Sequence, residues 1–199
     1  MKNICFIRHG QTNSSLKNRL CGSRTDESLN ANGYQQIKSL ISFLKNYNPE
    51  SIYTSPLLRA KQSAKIISDY FNLKTNELDD LREIDFGDWE KLTFNEIKSK
   101  YREEYLKWMN SPDKFTPNNG ESVRELSSRL KKVMEIILNT NHNTIFLITH
   151  GGPIRAALIN SLKIPLSLYW NIKIPHGSVT CLEYKGSKIS LQYMGQIVL

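Results

Sequence analysis

The sequence predicts an α/β protein, a three-layer α/β/α sandwich around a mostly parallel central sheet, and three observations carry that reading. Short β-branched or apolar runs, Ile4 to Ile7, Ser51 to Thr54 and Thr144 to Thr149, alternate with longer stretches of helical period. The first and last of these runs are apolar enough to be buried on both faces, as strands of a parallel sheet are. Both also end in a histidine-glycine junction, Arg8-His9-Gly10 and Thr149-His150-Gly151-Gly152. Ligands bind beyond the carboxyl ends of parallel strands, so two imidazoles far apart in sequence are expected to meet over one pocket.

The elements follow in order. Residues 31 to 47 place Ile37, Leu40, Ile41 and Leu44 on one helical stripe, with Asn30 as the capping residue. The strand at Ser51 to Thr54 stops at Ser55-Pro56, and residues 57 to 71 return to helical spacing through Ala60, Ala64, Ile67 and Phe71. A weaker strand is expected at Lys74 to Leu78, then a polar, acidic and aromatic loop from Asp79 to Lys91. Capping boxes at Thr93 with Glu96 and Ser122 with Glu125 open two further helices. The Pro- and Asn-rich segment between them, Asn110 to Gly120, is a loop. After the strand at Thr144 to Thr149, Gly152-Pro153 opens a helix through Leu162, with proline in the first turn where its missing N–H does no harm. The tail reads as a hairpin, Ser178 to Tyr184 and Lys188 to Met194.

At 199 residues, 39% hydrophobic and 23% charged, the chain is expected to form one domain over residues 1–199 with a core large enough to need no disulfides. Three scattered cysteines, Cys5, Cys21 and Cys181, point to a reducing compartment, the cytoplasm, and away from structural zinc. The apolar stretch at the amino terminus is too short for a signal core, and no run is long enough to span a membrane. A formal charge of +8 is compatible with nucleic acid, an acidic membrane surface or a small anionic substrate. Its lysines and arginines are dispersed among acids, without a basic run, so a solvated surface is preferred and no nucleic-acid or membrane partner is expected.

Glycine directly after a strand-end histidine lets the backbone turn sharply and offer its N–H groups to an anion. Arg8 supplies a planar donor fork matched to phosphoryl oxygens, and Arg59, at the start of the next helix, supplies another. A histidine among such cations suits nucleophilic attack, because its neutral form is favoured there. Metal binding is the rival reading of two histidines, but it needs three or four ligands, and the arginines repel a cation. No metal and no other cofactor is expected.

These residues resemble the histidine phosphatase superfamily, the phosphoglycerate mutase-like proteins, in five blocks that appear in family order. They are Arg8-His9-Gly10-Gln11-Thr12, Thr54-Ser55-Pro56-Leu57-Leu58-Arg59-Ala60, Leu81 to Glu90, Asn119-Gly120-Glu121-Ser122 and Thr149-His150-Gly151-Gly152. The resemblance implies a phosphoglycerate mutase-like fold, His9 as the nucleophile, and Arg8, Arg59 and a protonated His150 as the phosphoryl clamp. It also selects Glu83 as proton donor among its neighbours Asp79, Asp80, Asp85, Asp88 and Glu90, with a pKa raised by a partly apolar loop to which Phe86 and Trp89 are candidates to contribute. Ser15 stands where the family often has a phosphate-contacting asparagine, a contact that Asn13 or Asn18 could take instead. Ser23 to Leu29 lacks the family's proline. Arg24 and Gly151 join Ser15 as candidate substrate-binding residues. His142 and His176 receive no role, although His176-Gly177 could reach the pocket rim.

The expected activity is a metal-independent phosphomonoesterase acting on a small phosphorylated substrate through a phosphohistidine. Chain length and the run Phe86-Gly87-Asp88-Trp89-Glu90 resemble the alpha-ribazole phosphatases of cobalamin nucleotide-loop assembly, with broad-specificity sugar phosphatases next. The alternatives are a phosphoglycerate mutase, against which the short stretch between Glu83 and His150 speaks, and a non-catalytic anion-binding module, which would have lost at least one reacting side chain. Monomer and dimer are both open.

Overall fold

The computed structural model describes residues 1–198. Six strands, β1 Lys2–Arg8, β2 Ser51–Thr54, β3 Thr75–Glu77, β4 Thr144–Thr149, β5 Val179–Lys185 and β6 Lys188–Gln196, form one sheet in the order β3-β2-β4-β1-β5-β6. The first four run parallel; β5 lies antiparallel to β1, and β6 to β5. The mostly parallel sheet expected from the sequence therefore carries the terminal hairpin as an antiparallel edge.

Alternation along the central strands explains the layers. Ile4 and Phe6 of β1 and Ile145 and Leu147 of β4 pack on one face, under α6 (Val123–Leu138) and α7 (Gly151–Leu162). Cys5, Ile7, Phe146 and Ile148 point the other way, under α2 (Ala31–Leu44) and α3 (Leu58–Phe71). Successive strand side chains must oppose one another, so a run apolar at every position is covered on both sides.

Several boundaries differ from expectation for local reasons. Helix α2 ends at Leu44 rather than 47, where backbone amides of Lys45, Asn46 and Tyr47 close tight turns on carbonyls within the preceding four residues. The capping box at Thr93 opens α4 (Phe94–Lys100), which breaks at the half-extended Tyr101 before α5 (Arg102–Asn110). A four-residue helix, α1 (Asn13–Leu16), and a 3₁₀ segment at Leu166–Asn171 are too short to show a period in sequence. The acidic loop contains two 3₁₀ turns, Asp79–Leu81 and Gly87–Trp89. Among the described residues no helix is long and apolar enough to cross a membrane.

The parallel ladder extends one residue past its strands, and this positions the site. The His9 amide donates to the Thr149 carbonyl (3.0 Å) and the Ser55 amide to the Ile148 carbonyl (3.0 Å). His9, Ser55 and His150 thus stand side by side at the carboxyl edge of the sheet.

Candidate active site

His9 is held by its backbone and oriented by its own turn. Its carbonyl accepts from the Gly177 amide (3.1 Å), so the residue bridges the ends of β4 and β5. The ring is 4% exposed, with Nδ1 2.7 Å from the Gly10 carbonyl oxygen. A carbonyl can only accept, which places the proton on Nδ1 and leaves a lone pair on Nε2. Arg59 Nε donates to that lone pair at 3.3 Å. Burial first, then the fields of His150, Arg59, His176 and Arg8, hold the imidazole well below its usual range, so it is neutral. Gly10 is required because a β-carbon there would sit 2.3 Å from the Gly33 carbonyl oxygen, where α2 abuts the turn.

The cationic groups converge from different elements. Arg8 donates through Nη1 to the Ile174 carbonyl (2.5 Å) and through Nη2 to His176 Nε2 (3.0 Å), while its Nε has no partner among the described residues. Burial brings its pKa down to about 10 against the pull of Glu83, with Arg155 and Arg59 adding to the fall, and it stays charged at neutral pH. Arg59 is fully buried, its Nη atoms spent on the carbonyls of Thr25 (2.6 Å), Cys21 and Gly22 (both 3.1 Å). His150 lies 4.9 Å from His9 between ring centroids, with Nε2 2.8 Å from Ser55 Oγ and a buried Nδ1 without a partner. Burial, then Arg59 and Arg8, push its pKa well down. The ring is therefore neutral in the free protein, chiefly because it is buried.

Glu83 approaches from the loop after Asp79–Leu81 and is 7% exposed. Its carboxylate accepts from the Ile84 amide (2.9 Å) and from the Gly152 amide (3.0 and 3.2 Å), so it caps the N-terminus of α7, where an anion is favoured. Arg129 donates to the Glu83 carbonyl (3.2 Å) while forking onto Glu121 (2.7 and 2.8 Å), so the Asn119-Gly120-Glu121-Ser122 block acts as a brace for the acid loop. Most neighbouring acids are committed elsewhere: Asp85 to Arg24 and the Gly87 amide, Asp88 to Asn119, Glu90 to the Gly22 amide and Thr25, Asp79 to Arg82. Phe86 lines the cavity, whereas Trp89 packs into the core against Trp108 and Phe115 at 5.3 and 5.6 Å.

Arg8, His9 and Glu83 line a cavity of about 260 Å³ together with Ser15, Asn18, Phe86, Phe94, Arg155, Trp170 and His176, while Arg59 and His150 are buried behind its wall. Ser15 is on its wall, but its hydroxyl cycles with Thr12 as the cap of α1 (2.9 Å in each direction). Asn18 also lines it; Asn13 is exposed outside it. Arg24 stands apart: its guanidinium is half exposed and forks onto Asp85 (2.8 Å) and the Asn119 carbonyl. Gly151 begins α7 beside Arg8, whose Cζ would lie 3.4 Å from a β-carbon there. His142 precedes β4, at the opposite edge of the sheet.

The lining includes residues to which the sequence assigned no role, among them His176, expected at most at the rim, and Arg155. His176, its ring centroid 5.1 Å from that of His9, is driven down to a pKa of about 3 by burial and Arg8. It carried a signal, because it is the third histidine followed directly by glycine, and Gly177 takes φ +61° there. Arg155 carried none, being one arginine in an apolar helix. Among the described residues no group of three His, Cys, Asp or Glu side chains is placed to hold a metal ion.

Comparison with known proteins identifies the family. Residues 4–197 match the family described as the histidine phosphatase superfamily (branch 1). The chain is 28% identical to phosphoserine phosphatase 1 of Hydrogenobacter thermophilus, over 92% of this chain and 87% of that one. It is 24% identical to the adenosylcobalamin/alpha-ribazole phosphatase of Escherichia coli, over 90% and 89%. The solved structure of YhfR from Bacillus stearothermophilus superposes with a TM-score of 0.90 at 26% identity, covering 98% of this chain and 97% of that one. The chain thus belongs to branch 1 of the histidine phosphatase superfamily and is a phosphoric monoester hydrolase.

Proposed function

We propose that the chain hydrolyses a small phosphomonoester in the cytoplasm without a metal, through a phosphohistidine on His9. The observation that carries this is the Nδ1–H to Gly10 carbonyl bond (2.7 Å), which leaves a neutral ring with its Nε2 lone pair beside Arg59. Nε2 attacks phosphorus in line; the N–P bond forms as the P–O ester bond breaks, and the leaving oxygen takes the proton that Glu83 picks up from solvent as the anionic ester enters beside it. Water then attacks phosphorus, gives its proton back to Glu83 and releases His9 and inorganic phosphate. Charge on the equatorial oxygens is met by Arg8, Arg59 and His150, and stabilisation of this kind dominates phosphoryl transfer. The partnerless Nε of Arg8 and Nδ1 of His150 support that role, since buried polar atoms without partners call for a ligand. As the dianion enters, it offsets the guanidiniums and allows His150 to take up a proton.

Phosphoserine and alpha-ribazole phosphate, the substrates carried in the names of relatives, are the first esters to compare. The test is a turnover mixture with ³²P-labelled ester, quenched in base, and a chelator control. A base-stable, acid-labile label on His9, chelator-insensitive phosphate release and loss of both in His9→Ala are expected. Absence of the label, or turnover by His9→Ala, refutes the mechanism, and an isomerised ester without free phosphate identifies a mutase.

A further inference from the structure

The cavity wall holds one more cation than a phosphoryl group and its acid require. Arg8 lines the cavity and Arg59 stands behind it with its Nε on His9, and among the described residues Glu83 is the only carboxylate lining the cavity. Arg19 also lines it but is engaged by Glu96 (3.4 Å) and the Lys91 carbonyl (2.7 Å). Arg155 forms no ion pair among the described residues. Its one close hydrogen bond there runs from Nε to the Ile172 carbonyl (2.7 Å), and the Tyr169 hydroxyl lies beside the guanidinium, so only part of its donor capacity is engaged and the rest is left for a ligand.

Position makes this surplus specific. Arg155 lies one turn along α7 from Gly152, whose amide holds the Glu83 carboxylate, so it stands on the side where the leaving oxygen collects its proton. A β-carbon at Gly151 would lie 3.2 Å from Arg155 Nη1 and 3.4 Å from Arg8 Cζ, so the two guanidiniums are close neighbours. The Arg155 fork is also preset: Cζ lies 5.5 Å from the Tyr169 ring centroid and 5.3 Å from that of Trp170. A planar fork fixed by stacking suits a carboxylate, and little ordering remains to be done on binding.

We infer that Arg155 determines specificity by receiving a carboxylate on the alcohol half of the ester, so that preferred substrates are small phosphomonoesters with a carboxylate a few bonds from the ester oxygen. This rests on the cavity being the ester site proposed above. The test uses matched pairs differing in that group: O-phosphoserine against O-phosphoethanolamine, and 3-phosphoglycerate against glycerol 3-phosphate. The unaltered enzyme is expected to favour the carboxylate member of each pair by about tenfold or more in kcat/KM, the range of one charge-assisted fork. Arg155→Gln should shrink that ratio toward unity chiefly through KM, and Arg155→Lys should restore part of it. Equal kcat/KM within each pair in the unaltered enzyme overturns the inference while leaving the phosphatase reading standing; so does an equal loss on both members in the variant, or a preference for a bisphosphate. No turnover of any ester would instead sink the ester site itself. Because the first comparison needs no variant, misfolding of Arg155→Gln cannot rescue the idea.

Discussion

Gly152→Ala separates the acid from the rest of the machinery. A β-carbon at this position would lie 2.1 Å from Glu83 Oε1, 3.2 Å from its Cδ and 2.9 Å from the Tyr169 hydroxyl. The closest atom is the end of a side chain, so Glu83 swings away and gives up its bond to the Gly152 amide. Position 152 is in the first turn of α7, where alanine is the better helix former by up to about 1 kcal/mol. That gain offsets only part of the lost charge-assisted hydrogen bond, worth about 1.5–3 kcal/mol, so the protein stays folded with a melting temperature lower by up to about 8 °C. Its chemistry suffers more, because a positioned general acid contributes about 10²–10⁴-fold. Steady-state assays should show kcat/KM on an alkyl phosphate falling about a hundredfold or more, and much less on p-nitrophenyl phosphate, whose leaving group needs little protonation. Equal losses on the two esters would refute the assignment of Glu83 as acid, and a collapse in melting temperature would refute the claim that only a side chain yields.

Acid should destabilise the fold through its buried rings. His9 and His150 are held well below, and His176 at about 3, against an unfolded value near 6.5. The unfolded chain therefore takes up protons first as pH falls, so stability is complete above about 6.5 and lost below it, by about 1.4 kcal/mol per pH unit for each ring until its folded pKa is reached. Urea midpoints from pH 7.5 to 5 measure this, and a flat series contradicts it. Gly10→Ala presses a methyl into the Gly33 backbone rather than a movable side chain, and should cost about 1–3 kcal/mol in chemical denaturation. Arg24→Ala should leave KM where it was, because that guanidinium is spent on Asp85 and Asn119; a raised KM returns Arg24 to the substrate.

The sequence was most informative where chemistry and period coincided. Strand-end histidines followed by glycine located the carboxyl edge of β1 and β4, and the apolar alternation of those strands dictated both helical layers. What stayed hidden depends on contacts between distant segments. Arg129 reads as one more surface cation of α6 until Glu121 and the Glu83 carbonyl are seen around it. Trp89 belongs to the run that suggested alpha-ribazole phosphatase, yet its ring is core against Trp108 and Phe115, so much of that run reports packing rather than the ester. The charge state of His150 in the free protein was not legible either, since it depends first on burial and then on which guanidiniums stand near.

Arg59 faces two ways at once. Its terminal nitrogens are locked to the carbonyls of residues 21, 22 and 25, and only Nε turns toward the His9 ring. The same stretch sends Asp26 to the first amide of α3, at Leu58 (2.6 Å), so loop and helix grip each other around Arg59, the residue proposed to meet the phosphoryl group. Loosening residues 21–26 would tilt the cation that donates to His9, and variation in this stretch should register first as slower chemistry rather than weaker capture.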